Sequence, residues 1–175
     1  MPKGYVLDTN VFIQSKNREY RFDFCVGFWH WIEAGHQHNR FFSCKKVHTE
    51  LRIGDAKRIC PARKWADAMP AAFFLDDTHD ATVMKHYGAL MNWVISSSHY
   101  TAAAKKEFAD PENADAFLVA VAKRHGMDVV THEKARPDQK SRVPIHSAAA
   151  ALGVQTILIY DLLSLHAGPT FVFKP

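Results

Sequence analysis

The chain has 175 residues, 47% of them hydrophobic, which suits one globular domain with a sizeable core rather than two. Lys and Arg number 22 against 18 Asp and Glu, a net charge of +4 that leans weakly toward a polyanionic partner. The three cysteines, Cys25, Cys44 and Cys60, suggest neither a disulfide framework nor a zinc site, and no membrane-length apolar run or signal-peptide segment is present, so a cytoplasmic protein with reduced thiols is expected.

Near the amino terminus, Tyr5-Val6-Leu7 is an apolar run that stops at Asp8-Thr9-Asn10 and resumes with Val11-Phe12-Ile13, the pattern of a buried strand leading into a loop and helix. Asp8 would then stand at the strand's carboxyl end, where open α/β sheets bind ligands. Capping of the next helix explains the same residue equally well. Phe22, Phe24, Cys25, Phe28, Trp29, Trp31 and Ile32 follow at helical spacings that end near Gly35, so core packing is expected of these aromatics ahead of base stacking. Phe41–Cys44 reads as a second strand, and Lys45–Leu51 opens a helix with Glu50 near its amino terminus, where the helix dipole favours an acid. The stretch with Arg52, Asp55, Lys57, Arg58, Arg63 and Lys64, broken by Pro61, suggests one or two short helices with a basic outer face.

Phe73–Leu75 is a candidate third strand closing at Asp76-Asp77, a pair read as solvated or capping rather than metal-binding. An amphipathic helix is expected from Asp80 to Ser98, with further helix between Tyr100 and Phe108. Asp110 is expected to cap the next helix, with Pro111 in its first turn and Gly126 at its end. That helix is almost wholly apolar after Asp115, so the Asp115 carboxylate is expected in a buried setting that demands a partner. Met127–Thr131 follows as a Val-rich strand, and a helix ending in Gly before such a strand is half of a βαβ unit, which points to a parallel sheet. Lys134–Arg142 reads as a basic loop, Val143–Ile145 as a short edge strand, and His146–Leu152 and Ile157–His166 as helices, with Phe171–Phe173 packing back on the fold. His36 and His38 flank a helix end in polar sequence and read as solvated rather than metal-binding.

Asp8, Asp115 and Glu133 thus occupy strand ends or helix starts in apolar surroundings, with Glu50 at another helix start. In a parallel sheet those positions share one rim, so the carboxylates can converge. Side by side they need cations to stay ionised, and an oxygen-only donor set suits Mg²⁺ or Mn²⁺. Such a cluster hydrolyses phosphodiesters by activating water and stabilising charge on the phosphorane and the leaving oxygen.

Leu7-Asp8-Thr9-Asn10, Thr49-Glu50-Leu51, Ala114-Asp115-Ala116-Phe117-Leu118-Val119-Ala120 and Val129-Val130-Thr131-His132-Glu133 fall in the order and approximate spacing of the PIN-domain ribonucleases, which the chain resembles over nearly its whole length. More narrowly, Tyr5–Lys16 and Phe22–Trp29 resemble the bacterial PIN-like family DUF4411. The resemblance implies a single PIN-like nuclease domain over residues 1–175, built as an α/β/α sandwich with a central parallel sheet. It also implies a Mg²⁺- or Mn²⁺-dependent endoribonuclease, often the VapC-type toxin of a toxin–antitoxin pair, with RNA as substrate, a cognate antitoxin as partner and, commonly, a homodimeric state. Carried across by motif, Asp8, Glu50 and Asp115 would be metal ligands and Glu133, where many relatives have Asp, a further acid; Asp110 and Asp138 compete for a ligand role. Asn10 and Thr131 would support the metal waters by hydrogen bonding.

Lys45, Lys46, Arg52, Lys57, Arg58, Lys134, Arg136, Lys140 and Arg142 bracket these motifs and are candidates to hold the RNA backbone through its phosphates. Two other readings compete. A phosphatase of the haloacid-dehalogenase kind also places an Asp after its first strand, but normally carries a second acid two residues later, where this chain has Asn10. A non-catalytic RNA- or protein-binding domain would use the acids as structural caps.

Overall fold

The computed structural model describes residues 3–53 and 60–175, so Asp55, Lys57 and Arg58 lie outside the described residues. Strands β1 (Tyr5–Leu7), β2 (Phe41–Cys44), β3 (Phe74–Leu75), β4 (Asp128–Thr131) and β5 (Thr156–Leu158) form one sheet in the order β3-β2-β1-β4-β5, every pairing parallel. The helices are α1 (Thr9–Asn17), α2 (Val26–Gln37), α3 (Lys45–Arg52), α4 (Pro61–Ala68), α5 (Ala81–Ser96), α6 (Ala102–Phe108), α7 (Ala114–His125), α8 (Ile145–Ala151) and α9 (Ile159–His166).

Parallel pairing requires each connection to cross over, and right-handed crossovers distribute the helices over both faces. On one face α7 packs against β1, β2 and β4 and against α5 and α8. On the other, α2 packs on β2 and α9 on β4 and β5, joined where the Trp31 indole donates to the His166 carbonyl at 2.9 Å. The architecture is the α/β/α sandwich expected from the sequence. Strands covered on both sides carry continuous apolar runs, and all of β1 and β4 is buried. In α7 every residue from Ala114 to Ala122 is buried, and its small alanines let the helix lie close to the sheet.

Phe28, Trp29, Trp31 and Ile32 enter the core as expected, whereas Phe24 is 65% exposed. Gly35 of α2 lies so close to β2 that a Cβ there would come within 2.0 Å of the buried Phe41 ring. Gly35→Ala is therefore expected to destabilise the protein by about 2–3 kcal/mol through overpacking, despite alanine's better helix propensity. Urea unfolding would show this as a lower midpoint with an unchanged slope.

Several local expectations are corrected. Glu50 lies in the last turn of α3, not near its start, because the helix ends at Arg52. Asn113, not Asp110, caps α7, its side chain accepting from Asp115 N; Asp110 and Pro111 sit in the preceding turn. Val143–Ile145 is no strand: Pro144, which has no N–H for a ladder, occupies the cap position of α8. Thr156–Leu158 is instead the edge strand β5, and the following helix begins at Ile159. Asp77 does cap, accepting from Lys46 N at the start of α3, but it is buried rather than solvated. His36 lies within α2, half-buried, with Nδ1 3.1 Å from the Phe41 carbonyl. The cysteines are free thiols. Among the described residues no helix is long and apolar enough to cross a membrane.

Candidate active site

From β1 the chain steps to β2 and β3 on one side, then returns to build β4 and β5 on the other. The reversal leaves a crevice between the carboxyl ends of β1 and β4, where open α/β sheets bind ligands. Asp8 leaves β1 directly into it, its backbone N–H donating to the Val130 carbonyl at 2.9 Å. It stands at the cap position of α1 but makes no capping hydrogen bond through its side chain. That side chain instead accepts from the Thr131 hydroxyl at 2.9 Å.

The other acids are brought in from separate elements. Glu50, at the end of α3, accepts from Ala114 N at 2.9 Å through one oxygen and from the Thr9 hydroxyl through the other, tying the first turns of α1 and α7 together. Asp115 is nearly buried in the first turn of α7. Glu133 follows β4, its backbone N–H donating to the Thr131 hydroxyl at 3.1 Å and its carboxylate accepting from the Asn10 amide at 3.1 Å. Hydrogen bonds thus draw Asp8, Thr131, Glu133 and Asn10 together, while Glu50 reaches the start of α7 beside Asp115. Asp110 and Asp138 are exposed, and Asp110 caps its own turn at Glu112 N.

Arg142 completes the group. Its guanidinium lies 2.7 Å from Glu133 and 3.3 Å from Asp115, with Glu107 at 3.9 Å. The sequence shows it only as one basic residue at the end of a loop; no periodicity or spacing signals that the loop folds back over the acids. The other basic candidates divide. Lys45 pairs with Asp76, Lys46 with Glu112 and Arg52 with Asp67, whereas Lys134 and Arg136 are exposed and pair with no carboxylate among the described residues.

Burial, and then the charge of Asp115, pushes the Asp8 carboxyl up to about 8. Asp115 is pushed up to about 6, first by burial, with Glu133 and Glu50 adding to the rise and Arg142 opposing it. A raised acid pKa means the folded state holds the proton more tightly than the unfolded chain, so stability from this source falls as pH rises toward the folded value. His86, His125 and His132, lowered chiefly by burial, act in the opposite sense below neutrality. A comparison with Asp8→Asn isolates the carboxyl. In EDTA this variant is expected to be more stable than the wild type, by an amount that widens from pH 5.5 to about pH 8.5 and reaches on the order of 1–2 kcal/mol, roughly 2–8 °C in a thermal melt. A difference that is flat or reversed across that range would refute the assignment of strain to Asp8.

Among the described residues, no three His, Cys, Asp or Glu side chains are arranged to hold a metal ion as they stand. The donors nevertheless fit one: Asp8, Glu50, Asp115 and Glu133 offer only oxygen, the preference of Mg²⁺ and Mn²⁺. Two of them are held in burial that disfavours their charge, and a guanidinium already lies between Asp115 and Glu133 where positive charge is called for.

Sheet and site together define a parallel α/β protein with an acidic cluster at the switch point of its strands. Residues 5–168 match the family described as Domain of unknown function (DUF4411), and the chain belongs to that family. No curated protein matches the chain in a sequence search.

Proposed function

We propose that this protein is a divalent-metal-dependent endoribonuclease of the PIN-like kind, the toxin of a type II toxin–antitoxin pair. The observation that carries the catalytic reading is the convergence on one crevice of acids from four separate elements, two of them buried at a cost in charge stabilisation. The toxin role, a cognate antitoxin partner, a cytoplasmic setting and a homodimeric state rest on the resemblance in sequence.

In this reading Asp8, Glu50, Asp115 and Glu133 hold the cation. When bound, Mg²⁺ or Mn²⁺ would acidify an attacking water and offset the charge that builds on the phosphate. The chain's own groups set that up: Thr131 orients Asp8, Asn10 orients Glu133, and Thr9 with Ala114 N fixes both oxygens of Glu50. Arg142, which now pairs with Asp115 and Glu133, would have to release them for those carboxylates to hold a cation. Lys134 and Arg136, which pair with no carboxylate among the described residues, line the cavity beside the acids and would meet RNA phosphates there.

Asn10 donates to Glu133 where a phosphatase of the haloacid-dehalogenase kind would have an acid, which weighs against that rival. One observation favours the non-catalytic reading: Arg142 already neutralises two of the acids. Pooled cellular RNA incubated with the purified protein separates the two. Cuts are expected with Mg²⁺ or Mn²⁺ and none in EDTA; intact RNA in every condition, with the protein folded, would move the assignment to a binding domain.

A further inference from the structure

Beside the acids, a cavity of about 590 Å³ opens between α1 and the loop that joins β4 to α8. That volume lies within the range of small-ligand sites, about 300–1,000 Å³. Glu133 and Arg142 belong both to its lining and to the acidic network, so whatever fills it lies against the candidate catalytic groups. Gln14 stands one helical turn beyond Asn10 and so on the same face of α1.

The remaining lining is chemically unspent. Lys134 and Arg136 pair with no carboxylate among the described residues, and the one acid in the lining, Glu133, is taken by Arg142 and Asn10. The charge of the cavity therefore favours an anion. The side-chain amides of Gln14 and Gln139 make no hydrogen bond among the described residues. Among the described residues the His132 Nε2 is enclosed without a partner as well. Burial of an unpartnered polar atom applies here to His132 alone; the half-buried Gln14 and Gln139 amides stay open to a ligand, and an amide offers both a donor and an acceptor to a planar ring edge. An inorganic anion would leave both amides unused; a base carried on a phosphate uses both kinds of group.

We propose that this cavity is a subsite for one nucleotide of a single-stranded RNA, with Lys134 and Arg136 serving its phosphate and the Gln14 and Gln139 amides serving its base. This names the substrate subsite of the nuclease reading and rests on it, so binding is measured without metal to let the two fail separately. The full chain in EDTA is titrated by calorimetry with 5′-AMP, 5′-GMP, 5′-CMP, 5′-UMP, ribose 5-phosphate and inorganic phosphate. At least one nucleotide is expected to bind roughly tenfold more tightly than ribose 5-phosphate. Gln139→Ala and Gln14→Ala, checked for folding by circular dichroism, should reduce that preference severalfold, whereas Arg136→Ala should weaken all the phosphate-bearing probes alike.

Equal binding of nucleotides and ribose 5-phosphate, or a nucleotide preference untouched in both glutamine variants, would overturn the subsite. A glutamine-dependent preference in a protein that never cuts RNA supports the subsite and overturns the nuclease reading. Metal-dependent cutting with no nucleotide preference overturns the subsite alone.

Discussion

Asp8→Asn is expected to cost at least about a hundredfold in metal-dependent RNA cleavage, since removing even an outer partner of a metal site costs about 10–100-fold and Asp8 would be a ligand itself. The substitution is nearly isosteric, and its carbonyl oxygen can still accept from the Thr131 hydroxyl, so the backbone geometry between β1 and β4 has no reason to change. What disappears is one negative charge. The same protein that gains stability in EDTA should therefore lose activity in Mn²⁺, a pairing expected of groups held in place for function at the expense of the fold. Asp115→Asn should behave alike in cleavage. Retained cutting by both variants, with native thermal melts, would sink the proposed chemistry.

Arg142→Met carries the second large expectation. Methionine keeps an aliphatic stem against the loop but removes the charge and the donors that now hold Asp115 and Glu133. Metal-free protein should become less stable near pH 8, because the carboxylates lose their counter-charge. Mn²⁺ should then bind more tightly, by roughly tenfold, since a cation no longer competes with a resident guanidinium; a coupling of that size corresponds to about 1.4 kcal/mol. Calorimetric titration with Mn²⁺ reads both the affinity and its change. Unaltered or weaker Mn²⁺ binding would show that Arg142 is a partner of the site rather than a competitor for it.

Much of this arrangement was legible in the residues. The Val-rich strands and the alanine-rich helix before Gly126 announced a parallel sheet, because strands covered on both faces and a helix lying close upon them demand those compositions. Asp8 and Asp115 stood out for the same reason, as lone acids beside apolar runs. The failures have equally local causes. Nothing in Lys45–Arg52 marks where that short helix stops, so the sequence alone puts Glu50 at the wrong end of it. Ile157 to Leu163 is apolar almost throughout, and because periodicity cannot divide a strand from a helix inside one run, the sequence merges β5 into α9. Arg142 reads in sequence only as one of the basic candidates for RNA, because a loop's path depends on tertiary contacts, here with Glu133 and Asp115.

The order of the strands has a consequence for the timing of assembly. β1 emerges first during synthesis, yet one of its two neighbours is β4, with Tyr5 paired to Asp128. At about 5–20 residues per second, the ribosome takes several seconds to supply that partner. Until then the nascent chain can pair β1 with β2 but leaves its other edge open, and Asp8 has neither Thr131 nor Glu133 beside it. Pairings between such distant segments also close slowly. The acidic centre therefore forms only after β4 has been made, and a chain interrupted before residue 131 carries Asp8 without the strand that completes its site.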